Sequence, residues 1–314
     1  MKILDLETTH TAPFKILFEV LKDMLTETNI IFRSGSKKTD DSDTAPGPGD
    51  QDAAEKCEET DCMKISAIDP TRTVLINVKL EGEHFNKFVC KKKKICIGVN
   101  LGRFYKVIKT LNKNDILSLS VDHENKNYLE IKIDSPDEKK NSEFNFKLLD
   151  LDEDKTKIPD ISFDAVITME SQEFNRLCRE MHNIAEYVEI KCLADKIIFT
   201  CKGDFTDRKT TYRTSSSGNE DETILVSISH ASTKRKDAPQ IVQGIFELKN
   251  LVLFSKCASL CNEIEIYMKN NFPLIIKYTV ASMGRILLCL TPIRDDTTKN
   301  SNYQQEAEYY SDQE

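Results

Sequence analysis

No apolar run in this 314-residue chain approaches the roughly 18 residues of a membrane span, and mean hydropathy is −0.44. The opening MKILDLETTH carries acidic residues and no long apolar segment, so it does not read as a secretory leader. No CxxC occurs among the ten cysteines. Cys57 and Cys62 are near each other with no histidine beside them, and read as unpaired structural residues rather than zinc ligands. The five histidines, His10, His84, His123, His182 and His230, show no ligand spacing. Gly98 and Gly102 are followed by no GK[ST], so they do not form a phosphate loop. Positive charge is also short: 44 Lys and Arg face 52 Asp and Glu, for a net charge of −8. The surface as a whole does not invite nucleic acid, and any grip on phosphate must come from local patches. A hydrolase would need clustered carboxylates with a metal, or a nucleophile and its base. Asp150 and Asp152 read instead as a solvated acidic face. No catalytic residue, metal or cofactor is expected.

What the chain does have is a repeat. Amphipathic helical patterns over residues 14–26, 101–112, 171–183 and 248–260 are each followed almost at once by a strand pattern. The strands open with related words: NII at Asn29, NDILSL at Asn114, EYVEIK at Glu186 and NEIEIY at Asn262. Phe14, Leu17, Leu21 and Met24 make one apolar stripe, with Lys15 and Lys22 away from it. Phe104, Ile108 and Leu111 make the second, opposite Arg103, Lys106 and Lys109. Phe174, Leu177, Cys178 and Met181 make the third, opposite Arg176 and Arg179. Leu248, Leu251 and Val252 make the fourth, with Lys249 and Lys256 on the polar side. One basic helix face is an ordinary solvated face. Four of them on one side of a sheet would merge into a cationic stripe that holds a phosphate backbone without reading bases. Glu19, Asp23 and Glu180 dilute it, so binding should be weak and salt-sensitive.

Strand patterns outnumber helices. Residues 73–80 alternate, and hairpins are expected at 115–134, 186–202 and 263–280. The class is α+β, with antiparallel sheets covered by helices on one face. Residues 34–61 are polar and read as an insertion, and residues 295–314 as an acidic flexible tail. The run FKLLDLDEDKTKIPDISF reads as an interdomain linker. The expected division is 1–146, a linker at 147–163, and 164–294. The cysteines within strand and helix patterns, such as Cys178, Cys192, Cys201 and Cys289, fit buried thiols of an intracellular protein.

LKDM at Leu21, IGVNL at Ile97, KLLDLDEDKTKIPD at Lys147, FNRLCREM at Phe174, FPLIIKY at Phe272 and ASMGRILLCLTPI at Ala281 carry a resemblance over nearly the whole chain. It resembles proliferating cell nuclear antigen, the eukaryotic and viral DNA sliding clamp family. The resemblance implies the DNA clamp fold, two similar domains per subunit, and a head-to-tail homotrimeric ring around double-stranded DNA. Lys15, Lys22, Arg103, Lys106, Lys109, Arg176, Arg179, Lys249 and Lys256 would face the hole. It implies tethering of a DNA polymerase, contact with a clamp loader, and a pocket for the peptides by which partners bind this family. Ile68, Leu75, Ile158, Pro159, Pro273, Cys289, Thr291 and Pro292 would line that pocket. The insertion at 34–61 is expected near the pocket side. Subunits would join edge to edge near residues 142–148 and 205–213, with Phe144, Cys178, Met181 and Tyr212 packing at the seam. The implied location is the nucleus or a cytoplasmic viral replication site, and the role is replication and repair. A heterotrimeric checkpoint clamp or a monomeric processivity factor is the alternative.

Overall fold

The computed structural model describes residues 1–35, 60–152, 162–214, 226–230 and 241–293. The first half runs β1 (Lys2–Thr8), α1 (Thr11–Met24), β2 (Glu27–Arg33), β3 (Cys62–Ile68), β4 (Val74–Glu81), β5 (Lys87–Cys90), β6 (Lys94–Asn100), α2 (Leu101–Ile108), β7 (Ile116–Asp122), β8 (Tyr128–Ser135) and β9 (Lys140–Lys147). The second half runs β10 (Ala165–Glu170), α3 (Ser171–His182), β11 (Tyr187–Cys192), β12 (Lys196–Lys202), β13 (Asp207–Arg213), β14 (Val226–His230), β15 (Val242–Glu247), α4 (Leu248–Ser255), β16 (Glu263–Met268), β17 (Leu274–Val280) and β18 (Gly284–Leu290). Among these elements the order is the same twice: one strand, a helix, five strands, a helix, three strands.

The pairing repeats too. In the first half β5-β1-β7-β8-β9 form one sheet and β4-β3-β2-β6 a second; the second half has β14-β10-β16-β17-β18 and β13-β12-β11-β15. The halves are joined because β18 pairs antiparallel with β4, from Gly284 opposite Leu80 to Leu290 opposite Val74. Two of the four sheets thereby fuse into one of nine strands. β9 and β13, which hold the same places in their halves as β18 and β4, remain edges.

Each expected helix forms, with shifted ends. α1 starts three residues earlier, at Thr11, and the second and fourth α-helices stop at Ile108 and Ser255, the last continuing as a 3₁₀ turn over Lys256–Ser259. Helix ends are set by caps more than by apolar period. At α2 the Asn100 side chain accepts a hydrogen bond from the Arg103 backbone N–H at 3.0 Å. The apolar stripes turn inward. Phe14, Phe18 and Phe104 are fully buried, with ring centroids 4.7 and 4.9 Å apart along the series, and Phe104 meets Phe146 edge-on at 5.8 Å. Burying each such ring is worth about 1.5–3 kcal/mol. α1 packs beside α2 on one side and α4 on the other, and α3 packs beside α4. The four helices thus form one layer that crosses the junction between halves.

Three expected hairpins are observed, β7 with β8, β11 with β12 and β16 with β17. β1, β3, β5, β6, β10, β14, β15 and β18 were not anticipated as strands. The position of the insertion is a correction. Its flanks are Arg33 and Cys62, which face each other across β2 and β3. Ile68 and Leu75, the pocket positions, pair at the other end of β3. At about 3.3 Å per residue the two ends are roughly 20 Å apart. The direction of β3 places the insertion's flanks away from the pocket.

Because Arg33 and Cys62 already stand on neighbouring strands, residues 36–59 are not needed to bring them together. Replacing that stretch by a short turn should leave the folded chain intact. Thermal denaturation should then show a midpoint within a few degrees of the parent; loss of the cooperative transition would contradict this.

Candidate DNA-facing surface and partner pocket

The nine cations of the expected stripe separate into two sets. Four are engaged. Lys15 Nζ donates to the Leu111 carbonyl at 3.2 Å. Lys22 Nζ meets Asp23 Oδ1 at 2.6 Å and lies 5.0 Å over the Tyr105 ring. Arg176 meets Glu173 at 2.5 Å. Lys256 Nζ meets the other oxygen of Asp23, Oδ2, at 2.6 Å. Arg103, Lys106, Lys109, Arg179 and Lys249 are exposed and have no ion-pair partner among the described residues. Lys109 sits just past the last turn of α2, and Lys256 opens the 3₁₀ turn after α4. The helix layer brings all nine onto elements of a single layer.

Carboxylates on the same layer hold the engaged set. Burial pushes the Asp23 carboxyl up, but hydrogen bonds from Lys22 and Lys256 outweigh it and leave it below its ordinary value. Glu173 is likewise lowered: burial opposes, while bonds from Tyr212 and Arg176 prevail. Glu180, expected to dilute the stripe, is instead drawn 2.7 Å from Arg208 of β13. Sequence patterning found the cations but missed Tyr105 and the double role of Asp23. The spacing of Glu19 and Asp23, four apart on the face of Lys15 and Lys22, was the available signal.

On the nine-stranded sheet the register sets Ile68 opposite Leu75, Leu75 opposite Cys289, and Cys289 opposite Ile275. The row continues to Tyr267. It lies on the sheet face opposite fully buried Ile76, Leu288 and Ile276. Ile68, Leu75, Pro273 and Pro292 are half-buried, Cys289 is buried, and Thr291 is exposed. Ile158 and Pro159 lie outside the described residues. Phe163 closes the row's far end, its ring 5.4 Å from Tyr267 and 6.0 Å from Phe272. Ile275, Tyr267 and Phe163 were not foreseen. The signal was LII at Leu274, apolar on both faces of one strand, which marks a sheet covered on both sides. Burial raises the Cys289 thiol to about 12, so at neutral pH it is an apolar wall rather than a nucleophile.

The β3–β4 turn beside this row is built by one side chain. Asp69 accepts backbone N–H bonds from Thr73 at 2.8 Å, Val74 at 2.6 Å and Thr71 at 3.2 Å. Burial opposes its ionisation, yet these bonds, with that of the Thr71 hydroxyl, outweigh it and hold its pKa below the ordinary carboxylate value.

The expected seam residues divide. Phe144 on β9 is exposed and Tyr212 on β13 is half-buried, its hydroxyl donating to Glu173 at 2.6 Å. Cys178 and Met181 are corrections. They are 3% and 1% exposed, because the stripe of α3 that carries them packs into the chain's own core. They offer no surface to a neighbour.

Two like halves of paired antiparallel sheets, with helices layered along one side, make the DNA clamp fold. Residues 51–157 match the family model of the proliferating cell nuclear antigen N-terminal domain, and residues 157–293 that of its C-terminal domain. The chain belongs to the proliferating cell nuclear antigen family. A probable DNA polymerase sliding clamp of Acanthamoeba polyphaga mimivirus is 28% identical over 305 residues, covering 93% of this chain and 62% of that protein. A probable DNA polymerase sliding clamp 1 of Paramecium bursaria Chlorella virus 1 is 29% identical over 235 residues, 74% of this chain and 84% of the relative. The chain therefore spans less than two thirds of the mimivirus protein's length.

Replacing Asp69 by Ala should cost about 1–2 kcal/mol at pH 7, the scale of a lost cap. A lowered native value means the contribution is complete above the unfolded value of 3.8 and fades as pH falls through the native one. Chemical denaturation of both forms across pH should show the gap closing in acid. A gap that is constant with pH would show that the charge of Asp69 is not what matters.

Proposed function

We propose that this chain is a subunit of a homotrimeric DNA sliding clamp. Three copies join head to tail, the helix layers line the hole, and duplex DNA passes through without base recognition. The ring holds a DNA polymerase at the primer end by raising its local concentration, and makes or breaks no bond itself. A clamp loader and proteins carrying short apolar-aromatic peptides are its other partners. The relatives point to a viral replication site, with the nucleus as the alternative.

One observation carries this reading. β9 and β13 are free edges that occupy the same places as β18 and β4, which pair inside the chain. Pairing β9 of one copy with β13 of the next repeats a joint the chain already makes. Phe144 lies opposite Ile131 on its sheet, as Leu288 lies opposite Ile276 on the internal one. A contact between unlike edges propagates, and closes when the rotation fits. Three chains of two like halves give six joints of one kind.

The helix layer supports the DNA-facing role. Its exposed, unengaged cations, Arg103, Lys106, Lys109, Arg179 and Lys249, come from both halves. Cations without base-reading partners suit a ring that must move along any sequence. The row from Ile68 to Tyr267 supports the peptide pocket, being an apolar strip on the sheet's other face.

Light scattering over a dilution series should give three chain masses throughout. A single chain mass at every concentration would overturn the homotrimer in favour of a monomeric factor or a subunit awaiting different partners. Reversing Lys106 and Arg179 to Glu should leave that mass unchanged and reduce polymerase stimulation on a primed circle by tenfold or more. Full stimulation by the reversed protein would remove the helix layer from the DNA path.

A further inference from the structure

Asp23 is the one carboxylate among the described residues shared between two cations of the helix layer, and its partners come from different halves. Lys22 is its neighbour on α1, and Lys256 opens the 3₁₀ turn after α4. Both contacts are 2.6 Å, one to each carboxylate oxygen. The side chains stay partly open to solvent, 25% for Lys22, 29% for Asp23 and 42% for Lys256. A second acid, Glu19, lies one turn back on α1 beside Tyr105 and forms no ion pair with either lysine among the described residues. Lys22 is further steered by the Tyr105 ring.

This geometry has the form of an occupied phosphate site. Two ammonium groups converge on one anionic pair of oxygens, as they would on the two free oxygens of a phosphodiester. We propose that Asp23 is an internal stand-in for DNA phosphate that holds Lys22 and Lys256 ready and keeps them from gripping the duplex tightly. The inference rests on the helix layer facing DNA. A phosphate that approaches must share or displace the Asp23 carboxylate, so these two cations contribute less than free ones. The carboxylate also ties α1 of the first half to the turn after α4 of the second. Contact with DNA at this point therefore competes with a bond between halves. Asp23 is a positioning residue: it touches the cations, and the cations touch the phosphate.

The test is binding of a fluorescent 30-base-pair duplex by the full chain across a salt series. Each phosphate neutralised adds about 0.9 to the slope of log K against log salt. Asp23→Asn keeps the shape and removes the charge, freeing both lysines. It should steepen the slope by about 1–2 per subunit and tighten binding at low salt by roughly three- to tenfold. Asp23→Glu should restore the parental slope, which a purely structural role would not require. Lys256→Gln should cost little in the parent and remove much of the gain in the Asn variant, a non-additivity that marks coupling. In the parental background, with Asp23 untouched, Lys256→Gln should flatten the slope less than Lys106→Gln does, and an equal loss would overturn the proposal. An unchanged slope in Asp23→Asn, with binding lost on reversal of Lys106 and Arg179, would overturn the role of Asp23 and leave the DNA-facing layer standing. Binding indifferent to both changes would overturn the layer, and the role of Asp23 with it.

Discussion

The antiparallel pairing of β18 with β4 is the constraint on which the rest of the structure depends. Seven residue pairs carry it, and it fuses sheets from the two halves into one. Once that sheet is continuous, the helix layer is continuous as well, since α1 and α4 meet over the junction. Cations from both halves then share one layer. On the sheet's other face the same joint sets Leu75 of the first half beside Cys289 of the second. The apolar row exists only because the halves meet there. One set of main-chain hydrogen bonds thus organises both candidate surfaces.

The two surfaces follow different physical rules. On the proposed function the helix layer would work through charge, its grip limited by how many cations are already engaged inside the protein. Its held lysines meet a backbone carbonyl or a carboxylate, while its free ones reach water. The row on the opposite face would work through apolar contact, with Phe163, Tyr267 and Phe272 as an aromatic end and buried Cys289 as a small, inert wall. A surface of the first kind tolerates sliding, because one phosphate is as good as the next. The second kind is suited to holding one peptide in one place.

Much of this was legible in the sequence, and what was not has definite causes. The four helices were read from their apolar stripes, and each stripe packs into the core, with Met24 and Val252 only partly buried. The cations opposite were read by subtraction. The three hairpins were visible because turn residues separated alternating runs. β1 was missed because charged residues interrupt KILDLET, and its partners on both sides, β5 and β7, are distant in sequence. Cys178 and Met181 were misassigned to a seam because burial inside one chain and burial between chains leave the same apolar pattern. The insertion was put at the wrong end because a one-dimensional reading does not say which end of a strand faces which surface. Asp23 went unrecognised as a bridge because its second partner, Lys256, is 233 positions away.

The internal joint and the free edges hold equivalent places but are written in different residues. β18 and β4 are GRILLCL and VLINVKLE, dense in aliphatic side chains. β9 and β13 are KNSEFNFK and DRKTTYR, mostly charged, amide or hydroxyl side chains. Main-chain hydrogen bonding is open to both, but only the first couple adds a large apolar area that water cannot reclaim. Polar edges also discourage indiscriminate sheet growth. In the proposed ring the chain would therefore bring one permanent seam and one that can be undone: a bracelet needs both a hinge plate that never parts and a clasp that does.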